Sequence, residues 1–189
     1  MKLSNLQHLV AFFLFFTLFS CSDSTIKREI NYYHWKTELD LDENKKEYLQ
    51  NLGLKKLYVR FFDVKWVKSE NQAYPFATLQ NGVYDTTFQI VPTVFITNEV
   101  IKNTAQNKIP DLAKEISHKI ERLCKQRFYL QTNNQLITEI QIDCDWTEGT
   151  KEKYFQLLEE IKNAQHLTEL NSPFLSATIR LHQVKYHDK

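Results

Sequence analysis

The sequence predicts an α/β protein built from parallel β/α units, with about five strands that form a partial TIM-like barrel or, alternatively, an open parallel sheet. Short stretches with period-two apolar alternation take turns with segments of helical periodicity. Such succession implies parallel strands joined by helical crossovers. A complete barrel typically takes ~250 residues, and this chain of 189 residues ends directly after its last predicted strand. We therefore expect residues 30–189 to be a barrel-like domain truncated at its C-terminus.

The strands follow from apolar composition and alternation. The five predicted strands are Ile30–Trp35, Leu57–Val64, Ile90–Thr97, Glu139–Asp145 and Ser176–Gln183. Residues 65–89, where a crossover helix is expected, contain Pro75 and Gly82 and instead predict an insertion with a short helix or an extra strand. No glycine-rich phosphate loop follows any of these strands, so the sequence does not favour a nucleotide-binding fold.

Three helices are predicted between the strands. Asp40, with a glutamate three residues later, predicts the start of the first helix, and Gly53 predicts its end. The longest helix begins at Pro110 and runs to about Tyr129, with its apolar residues on one stripe. Thr150 is the predicted N-cap of the third helix.

The first 21 residues differ from the rest of the chain. Lys2 precedes an apolar run, Leu9–Phe19, which is too short to span a bilayer, since a spanning helix takes ~20 residues, but suits a signal peptide. Leu18-Phe19-Ser20-Cys21 resembles the lipobox of bacterial lipoproteins, which implies cleavage before Cys21 and attachment of lipid to it. We expect a signal peptide over 1–21, a tether over 22–29 and a lipid-anchored, non-cytoplasmic protein at the outer membrane or cell surface.

The composition limits the classes of partner and cofactor that we expect this protein to bind. The chain has 24 basic and 23 acidic residues, a balance that argues against a nucleic-acid partner. With Cys21 assigned to lipid, Cys124 and Cys144 remain; an oxidising compartment permits a disulfide between them, and two buried free thiols are the alternative. We expect no metal and no other cofactor, because Asp143, Asp145 and His182 lack a ligand-spacing motif.

A pair of carboxylates is the strongest candidate for a catalytic or ligand-binding site in this sequence. Alternation places Asp143 and Asp145 on one face of the fourth strand, ~6.6–7 Å apart. Two carboxylates at such a short distance can shift each other's pKa, so that one serves as an acid. The same alternation puts Arg60, Arg180 and His182 on that face. Two interpretations stay open, which are ion pairing within the polar face and direct catalytic or ligand contact.

Tryptophans near strand ends suggest a ligand class. Trp35 and Trp146 lie at the ends of the first and fourth predicted strands, and flat aromatic faces suit stacking on sugar rings. Core or rim packing is the alternative for each. We therefore predict Asp143 and Asp145 as catalytic residues, with ligand contacts from the five residues Arg60, Arg180, His182, Trp35 and Trp146.

Four segments carry a family resemblance. They are Tyr33–Lys36, Leu57–Val64, Val91–Asn98 and Glu139–Thr147. They resemble an uncharacterised family of Bacteroidetes-like lipoproteins, which is similar in turn to a domain of unknown function with a glycosidase-like TIM barrel. The resemblance implies the barrel and a carbohydrate connection, without an established activity. In chitinase-like barrels strand four ends in Asp-x-Asp-x-Glu; here Thr147 stands at the glutamate position, so that role is not transferred to Glu148.

These observations lead to one expectation and its rivals. We expect a lipid-anchored envelope protein with a glycoside-hydrolase-like barrel that acts on polysaccharide. The alternatives are a non-catalytic glycan-binding or structural envelope lipoprotein, and a truncated product without a function of its own. Whether the protein is an enzyme stays open at this point.

Overall fold

The computed structural model describes residues 29–81, 88–127, 137–165, 170 and 173–184. The strands are β1 (Tyr32–His34), β2 (Lys56–Val67), β3 (Gln72–Phe76), β4 (Gln89–Ile96), β5 (Glu139–Cys144) and β6 (Phe174–Ala177). The helices are α1 (Glu43–Asn51), α2 (Asn98–Asn103), α3 (Ile109–Arg127), α4 (Lys151–Gln165) and α5 (Leu181–Val184). The predicted signal peptide, Cys21 and the predicted tether up to residue 28 lie outside the described residues. None of the helices in the described ranges is long and apolar enough to cross a membrane.

One sheet organises the domain. Its order is β1-β2-β4-β5-β6, all parallel, and β3 pairs antiparallel with the C-terminal part of β2. The parallel strands follow chain order without the reversal that marks a doubly wound sheet. Right-handed crossovers in such a sheet carry the helices to one face. The predicted α/β class with about five parallel strands is confirmed, and within the described ranges the sheet is not closed into a barrel.

The core lies between the sheet and its helices. All six residues of β5 are buried, and α4 buries Tyr154, Leu157 and Ile161 against the sheet. Cys124 of α3 and Cys144 of β5 are buried as free thiols, so the disulfide is not formed. Burial raises the pKa of both thiols, to about 12 for Cys144.

An irregularity in β2 changes which residues share a face. The register against β4 shifts between Arg60 and Phe62, as at a β-bulge, which adds one residue to a strand. Strict alternation predicts Phe62 on the same face as Tyr58 and Arg60, and this is wrong. The Lys119 ammonium of α3 lies 5.2 Å from the centroid of the Phe62 ring, so Phe62 faces the helices. Asp63 takes its place on the opposite face, where it pairs with Arg60.

The insertion after β2 contains an extra strand, β3, which is one of the two forms predicted for residues 65–89. The loops show two further differences from prediction. Helix α2 follows β4 directly, where no helix is predicted. Helix α1 is capped by Asp42 rather than Asp40, since the Asp42 side chain accepts a hydrogen bond of 2.8 Å from the backbone N–H of Lys45. Gly53 ends this helix as predicted, with φ of 73°, a conformation that glycine adopts without strain.

The last strand is shorter than predicted. β6 ends at Ala177 rather than Gln183, because Gln183 is turned inward and buried. Its side-chain amide donates to the carbonyls of Cys144 and Trp146 at 3.1 and 2.9 Å, and its oxygen accepts from the Arg180 N–H. These bonds satisfy backbone groups at the end of β5 and fold Leu181–Val184 into one helical turn over that end.

Candidate functional site

The sheet face opposite the helices, called the polar face below, is defined by Tyr33, Tyr58, Arg60, Gln141 and Asp143. The Tyr33 hydroxyl donates a 2.6 Å hydrogen bond to the Gln141 side chain. These residues lie on β1 and β5, which are three strand spacings, ~14 Å, apart in a flat sheet. The long Tyr33 and Gln141 side chains therefore reach toward each other across the polar face, over β2 and β4.

Strand register aligns the polar groups in rows. Asp63 of β2, Phe95 of β4 and Asp143 of β5 are register partners. Because register partners in a parallel sheet point to the same side, the two aspartates share the polar face. A Thr178 hydrogen bond to Asp143 extends this row past the end of β6.

Asp63 is held by Arg60. The Arg60 guanidinium binds both carboxylate oxygens of Asp63, with Nε 2.6 Å from Oδ1, and also donates to the carbonyl of Trp35 at 3.1 Å. Asp63 is 1% exposed, and Lys65 lies 3.6 Å from Oδ2. The expected pairing of Arg60 with Asp143 or Asp145 is therefore wrong, because the bulge brings Asp63 within reach of Arg60.

Glu139 is a second buried carboxylate on the polar face, and it is not among the site residues predicted from the sequence. It accepts hydrogen bonds from Lys56 at 2.8 Å, Ser176 at 2.8 Å and Tyr58 at 3.2 Å. Burial alone would raise the pKa of Glu139, but the bonds from Lys56 and Ser176 and the Lys56 charge together lower it. Burial and the Glu139 charge raise the pKa of Tyr58 to about 12. The signal was present, because period-two alternation from Asp143 reaches Gln141 and then Glu139.

Asp145 lies just past β5 and forms the predicted ion pair with Arg180. The side chains are 36% and 50% exposed, so water reaches this pair at the rim of the polar face. His182 lies exposed on α5, and the structure places no contact between it and either aspartate. The predicted cluster is thus reduced to Asp143, Asp145 and Arg180.

Asp143 differs from the other three carboxylates. It is 7% exposed and accepts a 2.5 Å hydrogen bond from the Thr178 hydroxyl. Among the described residues no lysine, arginine or histidine lies within ion-pair distance of it, whereas Asp63, Glu139 and Asp145 each have a cationic partner. A buried carboxylate without a cation costs folding free energy, so such a group at the C-terminal end of a parallel strand is a candidate for function.

Aromatic rings line the polar face beside these groups. Trp35, Tyr33 and Tyr58 form a continuous stack, with centroids 5.7 and 4.7 Å apart and interplanar angles of 8° and 23°. Trp35 ends the stack and is 43% exposed. Trp146, by contrast, is 3% exposed and stacks on Tyr154 of α4 at 6.1 Å. It has no ring face free for a ligand, and the stacking role predicted for it is wrong.

The described ranges contain no group of three histidine, cysteine or carboxylate side chains close enough to hold a metal ion. The groups described on the polar face are carboxylates, hydroxyls, amides, stacked rings and the cations Lys56, Arg60 and Arg180, each of which pairs with a carboxylate. These groups offer hydrogen bonds beside a flat apolar surface.

Comparison with known proteins gives no match. No protein-family model, no curated protein and no solved structure is similar to the chain at a significant level. The resemblance to Bacteroidetes-like lipoproteins therefore stays a prediction.

Proposed function

We propose that this protein binds carbohydrate on the polar face of its sheet, with Trp35 stacking on a sugar ring and Asp143 accepting hydrogen bonds from its hydroxyls. The observation that carries the proposal is that Asp143, which is buried and has no cationic partner among the described residues, lies on the same face as an aromatic stack with an exposed end. Sugars present both hydroxyl groups and apolar ring faces, and aromatic rings with nearby polar groups match that combination.

The position of Tyr33 between the aromatic stack and the polar side chains supports the binding of one ligand to both. Tyr33 connects the two halves of the site, because its ring stacks on Trp35 while its hydroxyl binds Gln141, the residue two positions before Asp143. A ring bound against Trp35 would thus be near side-chain donors and acceptors that are already oriented. Orientation before binding lowers the entropic cost of association.

The test is binding of the full-length protein to a panel of polysaccharides and oligosaccharides. We expect at least one glycan to bind, and Trp35→Ala to weaken that binding about tenfold or more, since stacking rings often dominate a binding free energy. Tyr48→Ala is the matched control, because Tyr48 is an exposed aromatic on α1, 65% exposed and away from the polar face. Equal affinities of the two variants, or no glycan binding at all, would reject the proposal.

Hydrolysis of the bound glycan is a second candidate, and Asp143 and Asp145 favour it. Two carboxylates flank the bond in most glycoside hydrolases, ~5–5.5 Å apart in retaining and ~6.5–9.5 Å apart in inverting enzymes. The two side chains have different surroundings, because Asp145 is paired with Arg180 and Asp143 has no lysine, arginine or histidine within ion-pair distance among the described residues. If the protein is an enzyme, Asp143→Asn abolishes reducing-end release at every pH. Unchanged release by that variant would refute the catalytic role.

We propose further that the protein is anchored in the cell envelope by lipid on Cys21. The support is the apolar run followed by Leu18-Phe19-Ser20-Cys21. Stable anchoring needs more than one acyl chain, so mass spectrometry of the N-terminal peptide should find a lipid modification on Cys21 that carries at least two. Cys21→Ala should release the protein from membranes, while Cys124→Ala should not. An unmodified Cys21 at the membrane would contradict the anchor.

A further inference from the structure

A groove runs along the helix side of the domain between β3 and α3. It consists of two adjoining cavities of about 430 and 280 Å³ that share Ala73, Leu112 and Glu115 in their walls. Its origin is a gap in the helix layer. Helices α1, α3 and α4 lie in the other crossovers of the parallel sheet, whereas the described part of the crossover from β2 to β4 contains only the strand β3.

The walls of the groove are mainly apolar. Phe62, Val64 and Trp66 contribute from β2, and Leu112 and Ile116 from α3. The α3 residues in the walls run from Asp111 to Arg122, a length of ~17 Å at 1.5 Å per residue. One acyl chain fills half of a hydrocarbon core that is ~30 Å thick, or ~15 Å. The groove is therefore about as long as one acyl chain.

The two ends of the groove differ in charge. Lys119 and Arg122 lie one turn apart on α3 at one end, and no described carboxylate lies within ion-pair distance of either. At the other end Lys108 is neutralised by Asp111 at 3.0 Å. Glu115 lies in the wall that both cavities share, and His118 lies next to Lys119 at the positively charged end. Burial, and then the charge of Arg122, lower the pKa of Lys119, as expected where two cations meet without an anion.

We propose that this groove binds a long-chain fatty acid anion, with the acyl chain between β3 and α3 and the carboxylate at Lys119 and Arg122. The two adjoining cavities together fall within the range of ~300–1,000 Å³ that is typical of ligand sites. The apolar side chains of β2 and α3, together with a pair of cations at one end that no described carboxylate neutralises, match an amphiphile with an anionic head. Two cations attract that head and orient the chain along the groove.

The test is photolabelling of the full-length protein with a diazirine derivative of palmitate, followed by mapping of labelled peptides. We expect labels on peptides from β3 and α3, competed by excess palmitate. Lys119→Met keeps the apolar stem beside Phe62 and removes the charge, so labelling should fall about tenfold, the scale of one charge-assisted hydrogen bond. Lys114→Met is the matched control, because Lys114 is exposed on α3 but does not line the groove.

A second variant tests the acyl-chain part of the site. Ala73→Phe places a ring where the two cavities join, so labelling by the long-chain probe should be lost while the melting temperature is retained. A diazirine fatty alcohol of equal length should label the native groove about tenfold less than the acid. Equal labelling of Lys119→Met and Lys114→Met, equal labelling by alcohol and acid, or labels spread evenly over the chain would overturn the proposal.

Discussion

Neutralising Asp63 and neutralising Asp143 should have very different effects on stability, although both are buried aspartates in one row of the polar face. Asp63→Asn leaves the Arg60 guanidinium without its bidentate partner. Removing one member of a buried ion pair costs ~3–5 kcal/mol. Because the Arg60 side chain is 23% exposed, water offsets part of this loss, and we expect about 2–3 kcal/mol.

Asp143→Asn leaves no cation without its partner among the described residues. The new amide oxygen can still accept the Thr178 hydrogen bond, so we expect a loss below about 1 kcal/mol. At about 2–4 °C per kcal/mol for a chain of this size, Asp63→Asn should lower the melting temperature by about 4–12 °C and Asp143→Asn by less than about 4 °C.

The assay is urea unfolding followed by circular dichroism, with the melting temperature as a second measurement. A free energy of unfolding that falls as far for Asp143→Asn as for Asp63→Asn would show that Asp143 stabilises the fold and is not held in place for a ligand.

Three further predictions concern the same sheet. The pKa of Glu139 in the folded protein lies below its unfolded value. The stability that Glu139 contributes is therefore present above the unfolded pKa and is lost as the pH falls through the folded pKa. Glu139→Gln should reduce the fall in the free energy of unfolding at acidic pH, and an unchanged fall would contradict this. Trp146→Ala should cost ~3–5 kcal/mol, measured by urea unfolding, and leave glycan binding by the folded protein unaltered, whereas a selective loss of binding would restore its ligand role. Cys124 and Cys144 should react with a maleimide only when the domain unfolds, because burial raises both pKa values; rapid labelling of the native protein would show that this part of the core opens.

The sequence predicted the layers of the fold better than their details. Apolar alternation located β2, β4 and β5 because these strands are buried, and burial leaves a periodic pattern. The polar side of β5 was predicted for the same reason, which led to Asp143 and Asp145. The ion pair of Asp145 with Arg180 was among the predicted pairings of these aspartates with Arg60 and Arg180.

The errors came from events that periodicity does not encode. One inserted residue in β2 moved Asp63 into the reach of Arg60 and turned Phe62 to the helices, and a bulge of this kind has no residue signature of its own. The end of β6 depended on Gln183 finding two carbonyls on another strand, which is a tertiary contact. Trp146 follows a strand, as a rim residue would, but its ring turns back onto α4.

Calorimetric titration of the Asp143→Asn variant with a glycan that the native protein binds measures whether Asp143 is available to a ligand on the polar face. We expect at least a tenfold loss of affinity, because a charge-assisted hydrogen bond is replaced by a weaker one, with the free energy of unfolding almost unchanged. Affinity equal to that of the native protein would show that Asp143 does not contact the ligand.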